Sequence, residues 1–197
     1  MSLEFDELIE KYISTLDTEC IDSFRELVSK SVTEKFKKID CRYGEHKKTV
    51  YDSPELKQLN SSWIEDDAIY MDSVSSLADE LSIIALYKLF ERKHKMLIQH
   101  YRNETELKKF SYWKNVLKVL PANIKQLNSF KSVNELRLIN NSIKHEGTVS
   151  EELSSEFSSY GSEGSEFSEL DKAFNKLKPE ISKYLTELKN ELKGNKT

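Results

Sequence analysis

The sequence has little glycine, proline or cysteine. Its 197 residues include 5 glycines, 3 prolines and 2 cysteines. A β fold rich in turns needs glycine and proline at those turns, so their scarcity argues against such a fold. Charged residues make up 32% of the chain and hydrophobic residues 38%, a balance that favours long helices around one core. We therefore predict an all-α fold.

The chain also lacks a long hydrophobic run, a basic net charge and paired cysteines. No window approaches the length of a membrane span, and the segment 1–14 is acidic and amphipathic rather than a leader. The net charge of -4 gives no global basic character from which nucleic-acid binding would follow. Cys20 and Cys41 form no C-x-x-C pair, which fits a reducing compartment. We expect a soluble, cytoplasmic protein without a membrane contact.

Apolar residues recur with the helical period along most of the chain. From residue 5 to residue 36 they indicate one long helix or two helices in tandem. The segment 40–54 breaks the period and is predicted to be a basic loop, and a new helix is expected after Ser53. A short helical piece then precedes a central helix over 72–102, and another helix is predicted over roughly 104–120.

The last quarter of the chain differs in composition. Residues 149–166 are rich in serine, glutamate and glycine, which predicts a flexible linker between a helical domain at 1–148 and a C-terminal helix at 167–194. The apolar residues of the last helix are spaced by three and four, nearly a heptad seam. This helix either docks on the core or pairs with a partner helix, and Pro179 should kink or restart it.

A candidate site lies in the stretch VNELRLINNSIKHEG, residues 133–147. Arg137, Asn141 and His145 follow one side of the predicted helix at successive turns. Histidine can act as a general acid or base near neutral pH, and arginine can neutralise a phosphate, so the set suits metal-independent RNA cleavage. Polar neighbours are predicted to bind the substrate: Asn140, Lys144, Arg92 and Lys95. The alternative is that these residues are only the solvated side of an amphipathic helix.

The ends of this helix are also marked in the sequence. Ser132 and Glu135 match the S-x-x-E capping box that starts a helix, and Gly147 can take the left-handed conformation that ends one. Between these positions a stripe at helical spacing is predicted to be buried: Val133, Leu136, Asn140 and Ile143.

Glu91 and His94 on the central helix form an E-x-x-H, the spacing found in di-iron helix bundles. Such a site needs a second E-x-x-H, which the sequence lacks, so we predict no metal site and no cofactor. The two residues are interpreted as part of a solvated charged face. A cluster on that face would suit single-stranded RNA or be only the exposed half of a long helix: Arg92, Lys93, His94, Lys95, His100, Tyr101 and Arg102.

The stretch ELRLINNSIKHEG resembles the signature region of HEPN-domain proteins, in which an arginine, a polar residue and a histidine follow one another at short spacing. The helix ending LYKLFERKHKMLIQHYR has a similar look, and the resemblance covers roughly residues 55–148. It implies an up-and-down helical bundle and a dimer whose two motifs face each other in a cleft. Asn141 matches the polar residue and His145 the histidine, while Arg137 is separated from His145 by seven residues rather than the family's four to six.

Two functional hypotheses follow from this resemblance. The first is a metal-independent endoribonuclease, or an RNA-directed component, of a bacterial toxin–antitoxin or phage-defence system. The second is a catalytically inactive HEPN-like module that binds a nucleotide or another protein. Both hypotheses include a homodimer, and the C-terminal helix is a candidate contact for a further protein partner.

Overall fold

The computed structural model describes residues 2–102, 113–121 and 123–194. Within these ranges the chain is helical and has no strand, which confirms the prediction of an all-α helical bundle. The α-helices are α1 (Ser2–Ser14), α2 (Glu19–Lys48), α3 (Pro54–Arg102), α4 (Trp113–Val119), α5 (Phe130–His145), α6 (Glu151–Glu156) and α7 (Leu170–Gly194). Short 3₁₀ turns lie at Ile124–Gln126 and Ser158–Tyr160. None of the helices in the described ranges combines the length and apolar character that crossing a membrane requires.

The chain forms two compact units, and the long helix α3 contributes to both. One unit contains the residues up to Thr18 and those from Ile83 onward, and the other is the segment Glu19–Ser82. The change of unit falls inside a continuous helix, where the sequence carries no linker signal.

The core of the first unit is built around α7, which packs against α5 and α1. The apolar seam of α7 is fully buried, with 0% exposure at Leu177, Ile181, Tyr184, Leu185 and Leu188. Burying one such side chain contributes about 1.5–3 kcal/mol. The seam is therefore occupied within the chain, as expected if the helix docks on the core, and α7 continues through Pro179 without ending.

The second unit is an antiparallel hairpin of α2 and the first half of α3. Three side-chain pairs join the two helices: Arg25–Asp79, Arg42–Asp67 and His46–Asn60. The residue numbers increase along α2 while those of the partners decrease along α3, so the two helices run antiparallel. Each helix of the hairpin buries a narrow stripe of residues, and most of its other residues are half-buried or exposed.

The basic loop predicted over 40–54 is wrong over most of its length, because α2 continues to Lys48. A single glycine inside a helix costs only about 1 kcal/mol, so Gly44 does not end α2. The hairpin turn is instead held where the buried His46 places its Nδ1 atom 2.6 Å from the Tyr51 hydroxyl.

The segment 149–166, for which the sequence predicts a linker, contains α6 and a 3₁₀ turn. Val149, Leu153 and Tyr160 are buried there, so widely spaced apolar residues anchor a polar stretch to the core. Ser150 caps α6, since its hydroxyl accepts a hydrogen bond from the Leu153 amide at 3.2 Å. Local caps and a few buried anchors thus give this segment a defined path.

Candidate functional site

Helix α5 carries the predicted site and packs against α6 and α7. Its inner stripe is buried at Val133, Leu136 and Asn140, as predicted, and is half-buried at Ile143. Gly147 follows the helix with φ of 68°, the left-handed conformation expected there.

The capping box predicted for Ser132 and Glu135 is wrong. α5 begins earlier, at Phe130, and the N-cap residue is Ser129, whose side chain makes no capping bond. The Ser129 hydroxyl instead donates to the Glu187 carboxylate of α7 at 2.5 Å. A long-range hydrogen bond therefore replaces the local cap that the sequence pattern suggested.

Glu135 is 2% exposed and forms a buried junction between three elements. Its Oε1 atom accepts hydrogen bonds from the Tyr160 hydroxyl and from the Lys176 ammonium, both at 2.6 Å. Burial, together with the bond to Glu135, raises the pKa of Tyr160. The junction ties α5 to the 3₁₀ turn and to α7, and so fixes the helix that presents the candidate site.

Arg137 is held in place by two neighbours. Its Nε and Nη2 atoms donate to Asn134 Oδ1 at 3.1 and 3.0 Å, and Nη2 also donates to Glu152 Oε1 at 3.0 Å. The Arg137 side chain is 15% exposed and that of Glu152 is 58% exposed. The guanidinium group therefore already binds a carboxylate, which is supplied by the first turn of α6.

Tyr87 of α3 lies near the same guanidinium group. Burial and the negative charge of Glu91 raise the pKa of Tyr87 to about 12, while the positive charge of Arg137 opposes this rise. Charges from both helices, Glu91 of α3 and Arg137 of α5, therefore act on the Tyr87 hydroxyl group, so this part of α3 lies close to α5.

The last turn of α5 presents polar groups to solvent. Lys144 and His145 are exposed, and neither has a hydrogen-bond or ion-pair partner among the described residues. Asn141 is half-buried, and its Oδ1 atom accepts a weak hydrogen bond from Asn140 Nδ2 at 3.4 Å. Within the described ranges no hydrogen bond joins Arg137 to Asn141 or His145, so one copy of the chain does not assemble the predicted catalytic set.

Asn140 contributes an unusual feature beside this turn. The residue is 2% exposed, and its Oδ1 atom is buried without a hydrogen-bond partner in the described part of the chain. A buried acceptor that lacks a donor costs about 1–3 kcal/mol. Such a group is often found where a ligand or a water completes the hydrogen bonding.

The solvated face predicted on α3 is wrong at Lys93 and His94, which are 3% and 2% exposed. Lys93 donates to the Tyr12 carbonyl of α1 at 2.6 Å, and its Nζ atom lies 3.8 Å from the centre of the Tyr12 ring. This carbonyl belongs to the last turn of α1, where backbone acceptors lack partners within the helix. Lys93 therefore caps a helix rather than binding a ligand.

His94 is packed among aromatic rings. Its ring stacks on Phe90 with centroids 5.1 Å apart, and its Nε2 atom lies 3.3 Å from the Tyr184 hydroxyl. Burial, with a smaller contribution from the charge of Lys95, lowers the pKa of His94 to about 3. The imidazole is therefore neutral in the folded protein at physiological pH.

The remaining predicted residues of α3 are separated by environment. Arg92 is exposed, whereas Lys95 is half-buried and donates to Glu91 Oε1 at 3.0 Å. Because Glu91 is paired and His94 is enclosed, the E-x-x-H does not form an open pair of metal ligands. Among the described residues no group of three or more His, Cys, Asp or Glu side chains is arranged to hold a metal ion.

Neither a protein-family model, nor a curated protein, nor a solved structure matches the chain. The fold defines it as an all-α helical bundle. Its function has to be argued from the residues of the site.

Proposed function

We propose that the chain is a HEPN-like protein whose α5 directs chemistry at RNA phosphates without a metal ion. The observation that carries the proposal is the exposed pair of Lys144 and His145, which lies beside Asn141. Neither Lys144 nor His145 makes a hydrogen bond or an ion pair within the described residues. Exposed groups of this kind can meet a polymer that is too large for an enclosed pocket.

Arg137 supports the proposal because it already binds an anion. A carboxylate and a phosphate both accept the parallel N–H groups of a guanidinium, so the Glu152 carboxylate stands where a phosphate oxygen would bind. Since Glu152 is 58% exposed, the ion pair contributes only about 0–1 kcal/mol. Replacing Glu152 by an RNA phosphate therefore costs little free energy. Asn134 keeps the guanidinium oriented while the phosphate replaces the carboxylate.

The chemistry assigned to these residues is internal transesterification. The 2′-oxygen attacks the adjacent phosphorus, the bond from phosphorus to the 5′-oxygen breaks, and a 2′,3′-cyclic phosphate and a 5′-hydroxyl result. His145 takes the proton of the 2′-hydroxyl, and Arg137 and Lys144 neutralise the charge of the phosphorane. The protonated imidazole of a second copy returns a proton to the leaving oxygen, in the facing arrangement that the family resemblance implies.

The test is cleavage of single-stranded RNA and of transfer RNA in the presence of EDTA. Loss of a general acid or base should reduce the rate about 100-fold or more, so His145→Ala should be nearly inactive. Arg137→Ala should also lose activity, because the phosphorane charge is then unbalanced. Lys172→Ala is the control. Lys172 lies on α7 rather than α5, and its exposed charge is paired with Glu169, so this variant should leave the rate unchanged. Cleavage that survives His145→Ala would contradict the assignment.

A second candidate function is a catalytically silent interaction or nucleotide-binding module. The ion pair between Arg137 and Glu152 favours it, because the arginine of the motif is occupied. Glu152→Gln separates the two candidates, since it removes the competing charge and leaves the shape nearly unchanged. If the site serves RNA, this variant should bind a fluorescent single-stranded RNA more tightly than the natural chain. Absence of RNA binding by both proteins at low salt would leave the interaction module as the better function.

A protein partner would not use the apolar seam of α7. That seam is buried within the chain, with Leu177, Tyr184 and Leu188 fully enclosed. An interaction module would need another apolar surface.

A further inference from the structure

A stripe of exposed apolar side chains runs along the first half of α3. Its members are 45% to 65% exposed, and we call them the α3 stripe: Leu56, Leu59, Trp63, Tyr70, Leu77 and Leu81. Spacings of three, four and seven residues place them on one side of the helix over about seven turns. Exposed apolar side chains in a row of this length are typical of an interaction site.

The α3 stripe borders a groove of about 300 Å³ between the two helices of the hairpin. Asp67, Tyr70 and Met71 of α3 line this groove on one side, and Asp67 is paired with Arg42 across it. Lys35, Lys38 and Arg42 of α2 line it on the other. The surface therefore combines an apolar seam on one helix with a row of cations on the other.

The two helices of the hairpin carry opposite charge. From Lys30 to Lys48, α2 has seven lysine or arginine residues and three carboxylates. From Pro54 to Ser82, α3 has seven carboxylates and one lysine. On α3, Asp66 lies three residues after Trp63 and four before Tyr70, so a carboxylate flanks the stripe itself.

We propose that the α3 stripe is the interface of a homodimer in which two hairpins pack face to face. A two-fold axis along the hairpin places the basic α2 of one copy against the acidic α3 of the other. Each helix then has antiparallel neighbours, as in an up-and-down four-helix bundle. The same patch serves both copies, as two-fold symmetry requires.

The area available fits this assignment. Half-exposed side chains of this size present about 100 Å² each, so the α3 stripe supplies roughly 600 Å² per copy. Flanking residues of α2 bring this toward the 800 Å² or so per partner of a standard interface. A partner protein of one charge sign would complement only one helix of the hairpin, whereas a second copy complements both. The α3 stripe lies in the hairpin and the residues of the RNA site lie on α5, so this contact between copies is a different one from the facing of two α5 helices that the cleavage step uses.

The test measures the mass of the full chain in solution by light scattering and sedimentation, from about 1 to 100 µM. The expected species has twice the chain mass of 23.0 kDa. The double variant Tyr70→Asp/Leu77→Asp places carboxylates in the seam and should weaken the dimer about 100-fold or more. Both side chains are at least half exposed in the single chain, at 65% and 54%, so the fold should tolerate them. Circular dichroism checks that the variant remains helical.

Ile69→Asp is the matched control. Ile69 is 64% exposed, like its neighbour Tyr70, but lies about 100° away around the helix and outside the stripe. This variant should dimerise like the natural chain. A dimer that resists Tyr70→Asp/Leu77→Asp, or one that Ile69→Asp disrupts equally, would overturn the proposal, and so would a monomer at the highest concentration.

Salt dependence tests how the helices face each other. If α2 meets α3 of the other copy, raising the salt from about 0.05 to 0.5 M screens attraction and weakens the dimer. If like helices faced each other, salt would strengthen it, which would overturn the proposed arrangement. His145→Ala should remain dimeric, so failure of the dimer and failure of RNA cleavage are measured separately.

Discussion

His94 should make the protein sensitive to acid. The residue is enclosed by Phe90, Trp113 and Tyr184, and its pKa is lowered to about 3 in the folded protein, first by burial and then by the charge of Lys95. In the unfolded chain an imidazole titrates near 6.5. Between these two values the unfolded state binds a proton that the folded state does not. The free energy of unfolding therefore falls as the pH drops below 6.5.

The size of the effect follows from the width of this window. Each pH unit inside it is worth at most about 1.4 kcal/mol. Acidification from pH 7 to pH 4.5 should therefore remove roughly 3 kcal/mol of stability through His94 alone. For a chain of this length that corresponds to a fall of about 6–12 °C in Tm.

The comparison is between the natural chain and His94→Gln, which keeps a polar partner for Tyr184 but has no group that titrates in this range. Urea unfolding followed by circular dichroism at pH 7 and pH 4.5 gives the free energy of each protein. Carboxylates titrate in both proteins and cancel in the difference. The free energy of unfolding of the natural chain minus that of His94→Gln should be roughly 3 kcal/mol smaller at pH 4.5 than at pH 7.

The control is His145→Gln, which removes an exposed imidazole. Its difference from the natural chain should not change by a comparable amount, because water solvates this side chain in both states. If the difference for His94→Gln were the same at both pH values, the conclusion that His94 is neutral and enclosed would be refuted.

Three further substitutions test the supports around the site. Tyr160→Phe removes one of the two donors to the buried Glu135 and should cost about 1.5–3 kcal/mol in urea unfolding. Gly147→Ala should cost about 1–2 kcal/mol, because φ is 68° there and no atom lies close enough to clash, so only backbone strain acts. Lys93→Met removes the hydrogen bond to the Tyr12 carbonyl, worth about 1 kcal/mol, and hydrogen exchange in α1 should become roughly five-fold faster.

Each of these has a matched control. Tyr43→Phe removes an exposed hydroxyl and should leave stability unchanged; an equal loss in both tyrosine variants would contradict the role of the Glu135 junction. Gly44→Ala lies inside α2 with open space around it and should stabilise by about 1 kcal/mol, the opposite sign to Gly147→Ala. Lys88→Met changes an exposed lysine of α3 and is the control for Lys93→Met. If hydrogen exchange in α1 were also faster in Lys88→Met, Lys93 would not be a specific cap of α1.

The helical period predicted most of the helical segments, but it missed α6 and the last turns of α2, and it did not predict where each helix ends. α3 is continuous over Pro54–Arg102, whereas the sequence suggested a short piece and a central helix beginning at 72. In the hairpin many apolar residues of this helix face solvent, so the buried stripe is too narrow to dominate the pattern. The acidic residues 65–67 then look like a break, although they lie on exposed sides of the helix.

The candidate site shows the same limit at the level of single side chains. The spacing of Arg137, Asn141 and His145 predicted that they share a side of one helix, and α5 spans all three. Asn134, three residues before Arg137, is a partner that helical spacing could have indicated. Glu152 is not, because it reaches Arg137 only through the return of the chain in α6.

Glu152 also has a role that does not involve Arg137. It lies in the first turn of α6, where a carboxylate is favoured by the dipole of the helix, and Ser150 already caps this helix. α6 therefore should not need the ion pair in order to form, and the pair is free to exchange one anion for another. The two candidate functions then differ in which anion Arg137 binds more strongly, the Glu152 carboxylate or an RNA phosphate. That balance is a small difference between two exposed interactions, which residue spacing cannot predict and which Glu152→Gln measures directly.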